Sequence, residues 1–549
     1  MGGGVKKPVN IFKLKDLGEP EGAFNLRLWF SAISFSLLGA ARGIDEGLIS
    51  GAFNSPYFQE TIHYDSYSTV EQANIKANPS TCFAFLICDR IGRIWATRSL
   101  CLIWAAGIAV FMAGGVNDNL CAIYAGRFIA GLGVGQTPLV GPVYIAEISP
   151  ASIRGLCTCF FTGALYLGIV LAYFTNYGCA VNLGGHTHNR WLVPTSLPIM
   201  MAGIIFILIF FQYESPRFLV KQGKPDQAAQ MMACIRKQPV DGEYVVSEIT
   251  IIQAALDHEL EATKGLGLLG KLKEMFFVPS NLYRLYLASL VQFLSQWSGA
   301  GSITLYAPDL FSLLDITGAN ESLLVTAVFS IIKLVSALIC ALFLVDIISR
   351  KRALFISITL QTISIIYIAS YLTAIPQLGV EEDFVLPNSD KGASRGAITM
   401  IYLSGFGWAL GWNSMQYLLT AELFPLRIRA LATSWVMTLH FANQYGNSRA
   451  VPNMVLSISN GGISPKGTFW CFAAVTCIGG LWVWFSVPET SGRNLESMDQ
   501  LFDVSYYKIG LYGNKDAEQK DLARDERQRM AVEHHGIVVE VEDRQKLDA

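Results

Sequence analysis

Three charged residues interrupt an apolar stretch near the start of the chain. Residues 28–53 contain only apolar residues, serine and glycine besides Arg42, Asp45 and Glu46. If this stretch crosses a membrane, each charge costs roughly 3 kcal/mol on insertion scales and needs a partner or a function. Arg42 lies three residues before Asp45 and four before Glu46, so one local partner leaves one acid over, which we expect to be Asp45. Two interpretations follow: a static ion pair with Arg42, or a carboxyl group that binds and releases a proton.

Basic residues also stand inside two later apolar stretches. Lys333 lies near the middle of 323–345, and no acid of that stretch can pair with it. Arg449 lies toward the outer end of 431–457, where a long side chain can reach the membrane interface. A lysine at the centre of a membrane requires a partner on another helix or a function. Lys333 therefore favours an anionic ligand, and the alternative is a buried neutral lysine that faces another helix.

The composition predicts that these charges are carried by membrane-spanning helices. Of the 549 residues, 52% are apolar and only 15% are charged, whereas about a quarter are charged in soluble proteins. Eleven segments have about the 20 apolar residues that cross a hydrocarbon core of roughly 30 Å as a helix. These segments lie near residues 28–53, 100–115, 120–145, 156–177, 191–211, 282–306, 323–345, 353–375, 397–420, 431–457 and 468–487.

A twelfth segment, near residues 80–88, is short. Residues 55–80 are polar, and Pro79 leaves about ten helical residues before Asp89, which reach about 15 Å. Either a faulty gene model has removed part of this helix, or the short helix is genuine. We therefore predict an all-α polytopic membrane protein with 12 transmembrane helices, the second apparently truncated.

An internal repeat divides these helices into two six-helix halves. The sequence AEISPASIRG at 146–155 returns as AELFPLRIRA at 421–430, and ESPRFLV at Glu214 returns with the same spacing as ETSGRNL at Glu489. Parallel repeats of this kind are typical of secondary transporters. The predicted units are a cytoplasmic tail (1–27), a first half (28–211), a cytoplasmic insert (212–280), a second half (281–487) and a cytoplasmic tail (488–549).

Lysine and arginine crowd both tails and the insert, which predicts that all three are cytoplasmic. Within the insert, residues 224–238 and 247–264 have the pattern of short amphipathic helices at the membrane surface. The net charge of −2 gives no indication of a nucleic-acid partner. We find no spacing of metal ligands and no set of nucleophile and base, so we expect no metal, no cofactor and no enzymatic activity. The expected partners are membrane lipid, protons and a small-molecule substrate.

Four motifs together resemble the sugar-porter family of the major facilitator superfamily: GRFIAGLGVG, PVYIAEISPASIRG, ESPRFLV and VPETSGRNLESMD. The resemblance covers about residues 28–500, and its style is that of the fungal sugar, quinate and uronate permeases. It implies that two halves rock about a central site. The implied activity is proton-coupled uptake of a monosaccharide or a polyhydroxylated sugar acid across the plasma membrane. Alternatives are a nutrient receptor that does not transport and a variant inactivated by its short second helix.

The resemblance also implies roles for individual residues. Asp45 falls on the protonation site of proton-coupled members, and Arg127 falls on its arginine partner. The residues implied in a cytoplasmic gate are Asp89, Arg93, Glu147, Arg154, Glu214, Arg217, Arg350, Glu422, Arg429 and Glu489.

The residues implied at the substrate site, with Lys333 added for its depth, are Thr162, Ser295, Gln296, Gly301, Lys333, Asn413, Tyr417, His440 and Asn443. At several of these positions the chain departs from the family pattern. Thr162 and Ser295 replace glutamine, Gly301 replaces asparagine, and Tyr417 replaces tryptophan. Each lost hydrogen bond to a sugar hydroxyl costs roughly 1 kcal/mol or more. The departures therefore argue against a plain hexose and favour a sugar acid.

Overall fold

The computed structural model describes most of the membrane-embedded part of the chain. The described residues are 24–53, 56–61, 91–150, 153–183, 187–263, 267–312, 319–340, 350–378, 387–488 and 502. Within these ranges the secondary structure is helical, without a β-strand. The weak segment at 80–88 and Asp89 lie outside the described residues.

The first half contributes seven described helices. They are α1 (Leu26–Phe53), α2 (Pro56–Thr61), α3 (Arg93–Val116), α4 (Leu120–Val134), α5 (Thr137–Ile148), α6 (Arg154–Asn182) and α7 (Asn189–Ile209). Glycine brings α1 against α6: a β-carbon on Gly39 would lie 2.2 Å from the carbonyl oxygen of Phe161, and one on Gly43 would lie 1.9 Å from that of Leu165. Small residues at such crossings let the backbones of membrane helices touch. This contact fixes the charged turn of α1 beside α6.

The insert forms four helices, α8 (Pro216–Lys221), α9 (Pro225–Arg236), α10 (Glu243–Thr263) and α11 (Leu268–Phe277). The two helices predicted at 224–238 and 247–264 are present as α9 and α10. Arg236 attaches the insert to the first half: it donates to the carbonyl oxygen of Ile148 at 2.8 Å and pairs with Glu248 at 3.0 Å. The side chain of Arg236 is fully buried, which the pattern of an amphipathic helix does not predict.

The second half contributes nine described helices. They are α12 (Pro279–Trp297), α13 (Ala300–Leu305), α14 (Ala307–Ser312), α15 (Ala319–Ile339), α16 (Arg350–Ala374), α17 (Lys391–Leu410), α18 (Trp412–Leu423), α19 (Leu426–Val455) and α20 (Ser464–Ser486). Two of the predicted spans are interrupted. Gly299, with φ +84°, separates α12 from α13, and Gly411 separates α17 from α18. Interrupted helices are typical of transporter binding sites, because they free backbone groups and redirect side chains.

Among the described residues, seven helical segments are long and apolar enough to cross a membrane. They are Arg93–Val116, Leu120–Ile148, Cys157–Asn182, Asn189–Ile209, Glu321–Ile339, Lys351–Ala374 and Ser464–Ser486. The other four strong predicted spans coincide with α1, α12–α13, α17–α18 and α19, which carry more polar residues or are interrupted. The three charged residues Arg42, Asp45 and Glu46 thus make the composition of α1 less typical of a membrane helix.

The apolar cores follow the two halves. One cluster, around Trp104 and Tyr144, contains only residues of the first half and the insert. Another, around Trp412 and Met415, contains the second half with α11 and Phe502. A smaller cluster joins α6 to α15 and α17 across the boundary. The two halves therefore have separate apolar cores and meet in part through this smaller cluster.

Candidate functional site

A cavity lies between the halves, with an empty volume of about 590 Å³ including the solvent at its mouth. Its walls come from α1 and α6 of the first half and from α12, α13, α15, α17, α18 and α19 of the second. The lining residues are Arg42, Glu46, Leu165, Tyr166, Ile169, Gln296, Gly301, Ser302, Thr304, Lys333, Trp408, Asn413, Gln416, His440, Gln444, Asn447 and Ser448.

Five of the predicted substrate residues line this cavity: Gln296, Gly301, Lys333, Asn413 and His440. Thr162, Ser295 and Asn443 do not line it, and the side chain of Tyr417 lies outside the described residues. Asn443 instead accepts a hydrogen bond from the indole of Trp297 at 3.2 Å.

Lys333 is the cavity's buried cation, with 2% of its surface exposed. Its ammonium group donates to the hydroxyl of Thr304 at 2.7 Å. It also lies 4.9 Å from the ring centre of Trp408 and 5.4 Å from that of Tyr166. Aromatic faces attract a cation but supply no counter-charge. Within the described part of the chain, no carboxylate lies at ion-pair distance from Lys333.

The second half supplies hydrogen-bond acceptors that the described protein leaves unused. Gln416 Oε1, Asn447 Oδ1 and Ser302 Oγ are buried and have no hydrogen-bond partner among the described residues. A buried polar atom without a partner costs roughly 1–3 kcal/mol, which a bound ligand can recover. These acceptors require donors of the kind that hydroxyl groups provide.

His440 is fixed by two glutamines of α12. Its Nδ1 lies 2.8 Å from Gln292 Oε1 and 3.3 Å from Gln296 Nε2. The Asn447 amide, two turns further along α19, donates to the carbonyl oxygen of Gln296 at 2.7 Å. These bonds join α12 to α19 just before the break at Gly299, so the polar wall of the cavity is built on a braced pair of helices.

The two acids of α1 take different partners. Asp45 lies 3.5 Å from Arg127 of α4, and both side chains are buried inside the first half. Glu46 lies 3.2 Å from Arg42 and faces the cavity. Successive residues on a helix point about 100° apart, which separates the neighbours. Arg42 thus pairs with Glu46 and leaves Asp45 over, as the spacing predicts, and Asp45 lies against the arginine that the resemblance indicates; a role of Asp45 in proton coupling stays a prediction.

The predicted gate residues of the first half surround the start of α3. Arg93 forms a two-bond ion pair with Glu147, at 2.9 and 3.2 Å. The Glu214 carboxylate accepts from the backbone N–H groups of Arg93 and Ile94 at 3.0 and 3.2 Å. A carboxylate at a helix N-terminus is stabilised by the helix dipole and unpaired N–H groups. Arg217 is exposed.

In the second half, Arg429 donates to the carbonyl oxygen of Phe424 at 3.0 and 2.9 Å. Asp89 and Glu489 lie outside the described residues, as do the side chains of Arg154, Arg350 and Glu422. Among the described residues predicted for the gate, Arg93, Glu147 and Glu214 form a connected network.

Several cavity residues were not predicted from the sequence. Four further residues line the cavity: Glu46, Gln416, Gln444 and Asn447. Three aromatic rings surround the ammonium group of Lys333 and are called its cage here: Tyr166, Phe329 and Trp408. A signal was available for α19, where His440, Gln444, Asn447 and Ser448 follow the four-, seven- and eight-residue spacing of one helix face. The cage carried no such signal, because its rings come from three different helices.

Comparison with known proteins gives a consistent result. The family model described as "Sugar (and other) transporter" matches residues 32–502. A "Probable quinate permease" of Aspergillus niger is 29% identical over 501 residues, which cover 89% of this chain and 90% of the relative. The "Quinate permease" of Emericella nidulans is 28% identical over 497 residues, which cover 89% of this chain and 91% of the relative.

Solved structures of a bacterial transporter share the fold. The proton:xylose symporter XylE bound to 6-bromo-6-deoxy-D-glucose has a TM-score of 0.69 and 21% identity, covering 86% of this chain and 99% of XylE. XylE from E. coli in a partially occluded inward-open conformation gives 0.67 and 20%, covering 86% of this chain and 100% of XylE. The predicted all-α membrane fold with 12 transmembrane helices is confirmed.

Proposed function

The chain belongs to the family of sugar (and other) transporters and is not an enzyme, and on that premise we propose that it takes up a polyhydroxylated carboxylate together with a proton. The substrate is of the quinate or uronate type rather than a neutral hexose. Transport proceeds by alternating access, in which the halves rock about the cavity between them. The names of the fungal relatives support this substrate class at 28–29% identity.

The observation that carries the proposal is the environment of Lys333. A buried ammonium group with one hydroxyl acceptor and three aromatic rings has solvation to gain from an anion. A substrate carboxylate entering the cavity supplies the missing counter-charge, and a charge pair formed in a desolvated site is strong. A neutral sugar offers only weaker hydrogen bonds to the same group.

The unused acceptor atoms favour a substrate that carries several hydroxyl groups. Gln416 Oε1 and Asn447 Oδ1 accept from substrate hydroxyls, and Ser302 can accept or donate. The amides absent at Ser295 and Gly301 are thus replaced by others on α18 and α19. A site built to bind hydroxyls strongly rejects analogues that lack them, because its buried polar groups are then left unpaired.

Proton coupling is assigned to Asp45 and Arg127. In this conformation the Asp45 carboxyl group lies 3.5 Å from the Arg127 guanidinium. When movement of the halves draws the guanidinium away, the carboxyl group in its apolar surroundings takes up a proton. Substrate and proton then cross in one cycle, because each conformation favours one protonation state.

The gate network acts on the cytoplasmic side in this proposal. The pair of Arg93 with Glu147, held by Glu214, ties α3 to α5 and to the segment before α8. Asp89, Arg154 and Arg217 complete the gate in the first half, with Arg350, Glu422, Arg429 and Glu489 in the second.

Both tails and the insert are cytoplasmic in this proposal, and the membrane is the plasma membrane. The units 1–27, 28–211, 212–280, 281–487 and 488–549 are the working domains.

The test measures uptake of labelled quinate, galacturonate and glucose by the full chain, expressed in a host cell that lacks its own transporters for these three compounds. We expect saturable quinate or galacturonate uptake that collapses when a protonophore abolishes the proton gradient, with glucose taken up at least tenfold less efficiently. Uptake of glucose alone would refute the sugar-acid assignment. Uptake of the acids that does not respond to the protonophore would refute the proton coupling.

A further inference from the structure

Glu46 presents one carboxylate oxygen to the cavity in a fixed orientation. All its hydrogen bonds go through the other oxygen: Oε1 accepts from Arg42 Nε at 3.2 Å and from Gln444 Nε2 at 3.3 Å. Within the described residues, Oε2 has no hydrogen bond or ion pair. The side chain is 24% exposed, and the residue lines the cavity. The carboxylate is thus anchored at one end and available at the other.

Arg42 and Gln444 hold this carboxylate from both halves of the protein. The Arg42 Nη2 group donates to Gln444 Oε1 at 3.5 Å, so the three side chains form a closed set of contacts between α1 and α19. Arg42 also lies over the ring of Phe441 at 5.4 Å. The charge of Glu46 is compensated by its ion pair with Arg42.

The cavity therefore holds two charged groups of different chemistry. Lys333 brings an ammonium group among aromatic rings with no carboxylate at ion-pair distance among the described residues, whereas Arg42 and Glu46 bring an ion pair with one free acceptor oxygen. A second substrate carboxylate does not fit at Glu46 Oε2, because two ionised carboxylates can only accept hydrogen bonds and offer each other no donor. A hydroxyl group fits, because it donates to Oε2, and a hydrogen bond to a charged acceptor is roughly twice as strong as one between neutral groups.

We infer that Glu46, oriented by Arg42 and Gln444, is a hydroxyl-binding residue that selects substrates carrying a ring hydroxyl in addition to the carboxylate. This inference rests on the proposed function, since it assumes that the carboxylate binds at Lys333. It defines the substrate class more narrowly: a monocarboxylate with a ring hydroxyl group placed to reach Glu46. It also makes the hydroxyl contact part of the connection between the halves, because Gln444 belongs to the second.

The experiment measures binding of quinate and its 3-, 4- and 5-deoxy derivatives to the purified full chain in detergent, where no proton gradient is needed. In the unaltered chain, removal of the hydroxyl that contacts Glu46 should weaken binding at least tenfold. In Glu46→Gln, quinate itself should bind at least tenfold more weakly than in the unaltered chain. The same deoxy derivative should then bind to the variant as tightly as quinate does. The Lys333→Met variant should bind all four ligands more weakly but keep the preference for the hydroxyl.

A second variant covers the case in which Glu46→Gln leaves Arg42 unpaired and unfolds the protein. Arg42→Gln combined with Glu46→Gln removes both charges and should abolish the same hydroxyl preference. If either folded variant keeps the full penalty for every deoxy derivative, the inference is wrong. If Glu46→Gln keeps those penalties but loses a pH dependence of binding, Glu46 is a proton carrier instead, which also overturns the inference.

Failure of the proposed function gives a different result. Binding of quinamide, the neutral amide of quinate, as tight as that of quinate would refute the carboxylate site at Lys333 and the sugar-acid assignment. The inference as stated, with its carboxylate at Lys333, would fall in that case too. If quinate is preferred over quinamide and the hydroxyl penalties do not depend on Glu46, only the inference falls.

Discussion

Asp45 and Glu46 are neighbours in the chain but belong to different regions of the molecule. Asp45 lies inside the first half against Arg127, apart from the cavity lining, whereas Glu46 lies on the cavity wall against Arg42 and Gln444. The first pair is closed within one half, and the second reaches across to the other. The comparison shows that a single helical turn can carry two carboxyl groups with separate partners. One is placed to bind a proton, and the other is placed to contact a substrate.

This separation has a physical advantage for a coupled transporter. If one carboxylate served both purposes, the substrate would compete with the proton for it, and binding would be tied to protonation at a single atom. In the proposed mechanism, the two pairs let the proton and the substrate act through the movement of α1 as a whole. The close packing of α1 on α6 through Gly39 and Gly43 favours movement of the two helices together.

The largest expected effect is at the pair inside the first half. Asp45→Asn removes the proton-binding group, so accumulation of substrate against its gradient should be abolished. Exchange of labelled for unlabelled quinate should persist, because the cavity is unchanged. The measurement is uptake and counterflow in vesicles with matched amounts of inserted protein. Normal accumulation by the variant would show that Asp45 is not the coupling residue.

The next effect is at the cation of the cavity. Lys333→Met keeps the length and apolar packing of the side chain but removes the charge. The apparent KM for a sugar acid should rise tenfold or more, which corresponds to about 1.4 kcal/mol. The response of a neutral ligand such as quinamide should be much smaller, since it has no charge to lose. Equal losses for both ligands would mean that Lys333 is structural.

A smaller effect is expected at the residue that connects Glu46 to the second half. Gln444→Met removes one hydrogen bond to the carboxylate while Arg42 still holds it. Because Arg42 still orients the carboxylate, quinate affinity should fall, but by less than the roughly tenfold (about 1.4 kcal/mol) expected for Glu46→Gln. Gln444→Glu, of the same shape, sets a like charge against Glu46 and should weaken binding further. The reverse order of the two variants would exclude the proposed contact.

The sequence was sufficient to predict the membrane fold, the repeat and the positions of most helices, because apolar length and periodicity are local properties of the chain. It was also sufficient to single out Asp45 and Lys333, since a charge at membrane depth is conspicuous without knowledge of its neighbours, whereas Arg127 was indicated by the family resemblance. The family pattern of the tenth and eleventh helices also predicted Asn413 and His440 as substrate-site residues, and both line the cavity.

The rest depends on contacts between distant segments. Asn443 and Gln444 are adjacent in the sequence, and only the packing of α19 turns Gln444 toward Glu46 and Asn443 toward Trp297. Arg236 reads as a surface residue of an amphipathic helix, yet it is buried where the insert meets the carbonyl oxygen of Ile148. Neither placement is encoded in local periodicity, which gives the faces of a helix but not the neighbour that each face meets.

The smallest expected effect tests the separation of the two acids directly. Quinate binding would be measured at one pH for Asp45→Asn, for Glu46→Gln and for the double variant. Because Asp45 pairs with Arg127 and Glu46 pairs with Arg42 and Gln444, the two changes remove contacts that share no partner. Independent sites add to within about 0.3–0.5 kcal/mol, so the loss in the double variant should equal the product of the single losses to within about twofold. A larger deviation would mean that the two carboxylates act through one network despite their separate partners, and that proton and substrate compete on the same turn of α1.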